Sequence, residues 1–184
     1  MQAEAGWALP EGALCLLDAD AMQRHIEAAA QALNARFAGI QEPVLMLVVM
    51  NGGLWFAGQL LGRLHFPLEL DYVHLSRYRD TTRGRELEWR TLPSKSLTGR
   101  RLLLIDDILD QGVTAQALVE HCRLQAATET TLAVMLEKPA SCRLVNVQAQ
   151  IVACQIPDHY VFGCGMDLNG LLRNLPALYY LPEA

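Results

Sequence analysis

Apolar positions along the chain fall into two rhythms. Met22, Ile26, Ala29, Ala30, Leu33 and Phe37 recur three or four residues apart, the spacing of one buried helix face, and Gly39 ends the run. Asp20 is the expected N-cap, with Gln23 three residues on in a capping-box arrangement. Residues 44–50 are apolar at every position, as expected of a strand covered on both faces of a parallel sheet. Asn51-Gly52-Gly53 punctuates, and residues 54–64 predict a second helix. Residues 68–73 alternate as a strand does, and 102–105 form another short, fully apolar strand. A turn over 106–114 then leads into a helix ending at about Leu124, and residues 131–136 and 150–156 supply further strands. Residues 77–90 are polar, rich in Arg and Thr and without periodicity, which predicts an exposed hairpin or loop.

Strands alternating with helices predict an α/β fold, with a mostly parallel twisted sheet flanked by helices. A chain of 184 residues supports a single domain. Its expected core covers about 20–142, with a small hood lobe drawn from the chain ends, about 1–19 and 143–184.

Composition narrows the function classes. With 52% apolar and 19% charged residues, disorder is excluded. The apolar run at 44–50 is far short of the roughly 20 residues that cross a bilayer, so no membrane partner is expected. Residues 1–10 carry neither a basic start nor an apolar core, unlike a secretory signal. Five widely spaced cysteines, without a C-x-x-C pair, predict free thiols in a reducing compartment, the cytoplasm. Fifteen basic against twenty acidic side chains give a net charge of −5, which argues against nucleic acid as a partner. No G-x-G-x-x-G follows a strand, which excludes the dinucleotide-binding fingerprint.

Ligands of open α/β sheets sit beyond the carboxyl ends of the strands. One such end reads Leu104-Ile105-Asp106-Asp107-Ile108-Leu109-Asp110-Gln111-Gly112-Val113-Thr114. Three carboxylates there precede a glycine turn that opens a helix. The turn's N–H groups and the helix dipole favour an anion, and the carboxylates beside it suit sugar hydroxyls or a magnesium ion. An ordinary capping loop would need fewer acids. At a second strand end, Asn51-Gly52-Gly53 reads alone as a turn.

The first pattern closely resembles the ribose-phosphate signature of the type I phosphoribosyltransferases, matching at Asp106, Asp107, Asp110, Gly112 and Thr114. It departs at Gln111, where Thr or Ser is usual. Further motifs are similar to those of the hypoxanthine-guanine branch: Glu137-Lys138-Pro139, Ile156-Pro157-Asp158-His159-Tyr160-Val161-Phe162-Gly163, and Asp167-Leu168-Asn169 followed by Arg173-Asn174-Leu175-Pro176. With the loop after residue 50 they make four motifs in the family's order. Cys164 stands where many relatives carry an aromatic residue.

The resemblance implies a purine-salvage enzyme that uses phosphoribosyl pyrophosphate and a 6-oxopurine base, with magnesium. It implies that Asp106, Asp107, Asp110, Gln111, Gly112, Val113 and Thr114 surround the ribose and 5′-phosphate, and that Asp110 is also catalytic at the purine. Met50, Asn51, Gly52 and Arg173 would hold pyrophosphate, with a non-proline cis peptide between Met50 and Asn51. Lys138, Tyr160 and Val161 would read the purine. Asp167, with Asp106 and Asp107, would serve the metal. Arg77 and Tyr78 would lie in a mobile flap, Arg77 replacing the usual serine. The family also implies a homodimer or homotetramer. A xanthine-preferring enzyme and a non-catalytic regulator with the same fold are the alternatives.

Overall fold

Two neighbouring strands, β2 (Val44–Met50) and β5 (Arg101–Leu109), lie at the centre of a six-stranded sheet. On one side follow β3 (Leu68–Arg77) and β4 (Leu87–Thr91), and on the other β6 (Glu129–Glu137) and β7 (Ile151–Gln155). The order is β4-β3-β2-β5-β6-β7, and every pairing is parallel except that of β3 with β4. The computed structural model describes residues 8–77 and 87–182.

Burial on both faces explains the unbroken apolar strands. Val44, Met46 and Val48 pack into one cluster with α1 (Ala19–Arg36) and α2 (Gly53–Leu61). Leu45, Leu47 and Val49 pack into a second cluster with α3 (Val113–Leu124) on the opposite face. Each such side chain contributes about 1.5–3 kcal/mol on leaving water, so the central strands anchor the sheet. Helices α2 and α3 lead from β2 to β3 and from β5 to β6, and because β2, β5 and β6 run parallel their ends open on one edge, where ligands of such sheets bind.

Several element ends differ from the sequence expectation. The N-cap of α1 is Asp18, whose carboxylate accepts from the Ala21 N–H at 2.7 Å, and Asp20 lies inside the first turn. There its charge still faces the positive end of the helix dipole. Gln23 closes no capping box; its amide bonds Gln59 and accepts from Arg63, tying α1 to α2. Helix α2 stops at Leu61, with Gly62 as C-cap, rather than at 64. Strand β5 runs on through Asp106 and Asp107 to Leu109, because β6 continues to pair beside it as far as Glu137. The polar stretch after residue 77 does return as an antiparallel partner, β4, with Trp89 opposite Leu75.

A smaller sheet, ordered β1-β9-β8, joins both chain ends: β1 (Leu14–Leu17), β9 (Leu178–Tyr180) and β8 (Val161–Phe162), all antiparallel. Strand β7 belongs to the main sheet, so that sheet extends beyond residue 143. The small sheet is seated on the core through glycines. A Cβ at Gly165 (φ 99°) would come within 2.5 Å of the Gly52 carbonyl oxygen and 2.8 Å of Trp55 Cβ. Only a residue without a side chain permits that approach. Among the described residues, no helix is long and apolar enough to cross a membrane.

Candidate active site

Two adjoining cavities open at the edge where β2, β5 and β6 end. The larger, about 450 Å³, is walled by Met50 and Gly52 after β2, by the residues from Asp106 to Asp110 on β5, and by Gly112, Thr114, Asp167 and Arg173. The smaller, about 190 Å³, is walled by Lys138, His159, Tyr160, Val161 and Met166. Both share Asp107, Ile108, Asp110 and Asp167. A ligand lying across the two therefore passes directly over Asp110.

Each wall follows from local folding. Asp106 and Asp107 lie near the end of β5, still within its pairing with β6, and each carboxylate caps the next N–H: Asp106 accepts from Asp107 at 2.9 Å, Asp107 from Ile108 at 2.8 Å. Burial pushes the Asp107 carboxyl above the ordinary carboxylate range, against the opposing pull of its bond with Asp106, the Ile108 N–H and the charge of Arg173. Gly52 has no room for a side chain, because a Cβ there would collide with the Asp107 carboxylate. The Met50–Asn51 peptide is cis, as the family resemblance implies. Gly112, the residue before α3, takes φ 83°, which turns the chain from strand into helix.

The smaller cavity is built around Lys138, whose side chain is only 11% exposed. Its ammonium bonds Asp158 at 2.8 Å and lies 3.6 Å from Asp110. The Lys138 bond, together with a bond from the Cys142 thiol, holds the Asp158 carboxyl below its ordinary range. Burial first, then the Asp158 bond and the charges of Asp158 and Asp110, push the Cys142 thiol up. Asp110, Cys142 and Asp158 have ligand atoms within 4.8 Å of one another. The Lys138 ammonium lies against both carboxylates of that group and offsets one of their two charges.

On the hood side, Arg173 pairs with Asp167 and donates to the Gly165 carbonyl at 2.6 Å. The other Asp167 oxygen accepts the Gly170 N–H at 2.8 Å. Tyr160 anchors its hydroxyl on the Asp167 carbonyl at 3.1 Å, and the residue is 57% exposed beside the smaller cavity that it lines. His159 stacks on Tyr180 at 4.4 Å, which fixes the backbone just ahead of Tyr160 and Val161.

Most of the residues singled out in the sequence thus meet in one place. Asn51, Gln111 and Val113 belong to the same loops without forming cavity wall. Arg77 ends β3, and Tyr78 lies outside the described residues. Asp167, Asp106 and Asp107 face one cavity but do not converge to a single ion's span. Asp158, the partner of Lys138, and Cys142, which bonds Asp158, were not anticipated. Asp158 lies within the quoted Pro-Asp motif, but Cys142 carries no sequence signal for the role. Cys164 is fully buried, and burial pushes its thiol up to about 12, so it is inert; nothing in its surroundings accounts for cysteine rather than an aromatic.

A parallel sheet with carboxylates and a glycine turn at one edge, and an aromatic-lined recess beside them, defines a sugar-phosphate-handling α/β protein. The phosphoribosyl transferase domain model matches residues 14–169, and the chain belongs to that family. Within it, a hypoxanthine-guanine phosphoribosyltransferase of Bacillus subtilis (strain 168) is 33% identical over 141 residues, 76% of this chain and 78% of that protein. The bifunctional protein TilS/HprT of Listeria innocua serovar 6a is 33% identical over 170 residues, 91% of this chain but 26% of that longer protein. Among solved structures, a hypoxanthine phosphoribosyltransferase from Staphylococcus aureus superposes with a TM-score of 0.84 at 26% identity, covering 92% of this chain and 91% of that one.

Proposed function

We propose that this chain transfers the phosphoribosyl group of phosphoribosyl pyrophosphate to hypoxanthine or guanine, as a purine-salvage enzyme. The observation that carries the reading is the shared floor of the two cavities, with Asp110 between a phosphate-suited turn and an aromatic recess. Names of relatives at 33% identity support the same activity.

The 5′-phosphate seats at the turn around Gly112, against the N-terminus of α3. The purine enters the smaller cavity, stacked on the exposed face of Tyr160. There the Val161 backbone accepts from the guanine amino group, and Lys138 donates to the exocyclic oxygen. Adenine presents a donor to that ammonium and leaves both groups unpaired, which costs about 1–3 kcal/mol or more. Asp158 keeps Lys138 aimed across the recess.

As purine N9 bonds to the anomeric carbon, the bond from that carbon to pyrophosphate breaks. The base's displaced proton passes to, or is stabilised by, the Asp110 carboxylate. Positive charge developing on the ribose ring meets the carboxylates of Asp106 and Asp107. Arg173 and the loop of Met50, Asn51 and Gly52 hold the departing pyrophosphate.

Magnesium fits this donor set. It takes hard oxygen ligands, commonly one or two carboxylates plus substrate phosphates rather than a full protein cage. Asp106, Asp107 and Asp167 offer that partial set, and a cation relieves the cost of charging buried Asp107. Bound with the substrate, the ion would neutralise charge on the leaving group.

The enzyme acts in the cytoplasm, consistent with five free cysteines. It assembles as a homodimer or homotetramer. Leu70 and Tyr72 on β3, and Leu54 and Leu61 on α2, are exposed apolar side chains available to a second copy. A turnover assay with phosphoribosyl pyrophosphate, magnesium and each of hypoxanthine, guanine, xanthine and adenine tests the proposal. Conversion of hypoxanthine or guanine is expected. Silence with every base refutes the enzyme, preference for xanthine reassigns it, and preference for adenine refutes the role of Lys138.

A further inference from the structure

We infer that Arg143 is a positioning residue for the phosphate-binding turn, acting from outside the cavity through the main chain of Asp110 and Gln111. The inference rests on the phosphoribosyltransferase reading of the site and adds a residue that touches no substrate.

Arg143 follows a short 3-10 turn, Ala140–Cys142, after β6. Its side chain is 12% exposed and bridges two strand ends. Nη2 pairs with the Glu137 carboxylate at 2.8 Å, and Nη1 donates to the main-chain carbonyl of Asp110. One residue further, the Leu144 N–H donates to the Gln111 carbonyl at 3.0 Å. Two and four residues beyond Arg143, Val145 and Val147 close on the Cα of Gly112: a Cβ there would lie 3.1 Å and 2.7 Å from their methyl groups. Three successive residues of the turn are thus held by one segment.

Peptide geometry converts these contacts into an orientation. Both peptide bonds, 110–111 and 111–112, are trans. In a trans peptide the carbonyl and the N–H point in opposite directions. Arg143 draws the Asp110 carbonyl away from the cavity, so the Gln111 N–H faces the other way. Leu144 does the same for the Gln111 carbonyl and the Gly112 N–H. Consecutive N–H groups aimed at one spot are the anion cradle that the turn must provide.

The guanidinium matters for its shape. Its fixed fork reaches a carboxylate and a carbonyl at once, and the charge strengthens both bonds. A lysine has a single point of contact and satisfies one acceptor at a time. The same bridge sets the position of the Asp110 side chain, which sits at the boundary of the two cavities.

The test compares wild type with Arg143→Ala, Arg143→Lys and Glu137→Gln. Calorimetric titration with phosphoribosyl pyrophosphate and magnesium is paired with KM for hypoxanthine and with thermal unfolding. Arg143→Ala is expected to weaken phosphoribosyl pyrophosphate binding about tenfold or more while KM for hypoxanthine stays within about twofold. Arg143→Lys should recover part of the loss, and Glu137→Gln should fall between wild type and Arg143→Ala. If Arg143→Ala fails to fold, the comparison of the other two variants with wild type decides by the same criterion. Binding unchanged in the variants overturns the positioning role. Equal loss for both substrates overturns it too, since that marks a general structural support. A wild-type chain that binds no phosphoribosyl pyrophosphate overturns the reading of the site itself.

Discussion

Replacing Gly112 by Ala sets two separable costs against each other. The first is conformational: Gly112 sits at φ 83°, where an L-residue loses about 1–2 kcal/mol. The second is steric, because the new methyl would lie 2.7 Å from Val147 Cγ1 and 3.1 Å from Val145 Cγ2. Overpacking of this kind costs about 1–3 kcal/mol. Together they lower stability by roughly 2–5 kcal/mol, and for a chain of this size the melting temperature falls by roughly 4–20 °C. Urea denaturation of the single variants and of Gly112→Ala/Val147→Ala separates the two. Val147→Ala alone should cost about 1–2 kcal/mol through lost burial. In the double variant the clash is relieved but the backbone cost remains, so its loss should be about 1–3 kcal/mol smaller than the sum. A sum obeyed within about 0.5 kcal/mol refutes the argument, because the turn would then have room to yield.

Two further outcomes rest on carboxylates. Asp107 has its pKa raised by burial, so its ionised form costs stability, and that cost appears as pH rises through its folded value. Asp107→Asn should therefore raise the melting temperature of the ligand-free protein at pH 7 while lowering turnover; a lower melting temperature contradicts the burial argument. Asp71 is the opposite case. Burial pushes its carboxyl up, but the N–H groups of Tyr72, Lys95 and Ser94 and the Ser94 hydroxyl outweigh that and hold it below 3.8. Its contribution is present above the unfolded value and is lost as pH falls through the folded one. The stability gap between wild type and Asp71→Asn should be full at pH 7 and narrow below about pH 4; a gap independent of pH contradicts the assignment.

Which parts of this could be read from the sequence follows from how far each signal reaches. Strand β2 was legible because every residue from Val44 to Val49 faces a cluster, leaving no polar position to blur the run. The end of β5 was not: Asp106 and Asp107 read as a loop by propensity, whereas pairing with β6 carries the strand through them. The cap of α1 was misplaced by two residues, since Asp18 and Asp20 are both good caps and only the chain's direction out of β1 selects between them. That Asp106, Asp107, Asp110 and Lys138 line one pair of cavities was legible because they sit in contiguous motifs. Asp158, Cys142 and Arg143 act across 20, 16 and 33 residues of separation on partners chosen by the fold, and no local pattern announces those pairings.

The small sheet has a consequence for how the protein is made. Strand β9 lies between β1 and β8, so the strand bearing Val161 has no edge partner until residues near the C-terminus have emerged from the ribosome. Domains fold from the N-terminus as synthesis proceeds, and the parallel core can close around β2, β5 and β6 well before that point. A nascent chain stalled at about residue 170 would then carry a formed phosphate end and an unformed base end. On the proposed reading of the site, such a chain would retain a sugar phosphate without choosing a purine. Selectivity for the base would then be set only when Leu178–Tyr180 pairs with Leu14–Leu17 and Val161–Phe162.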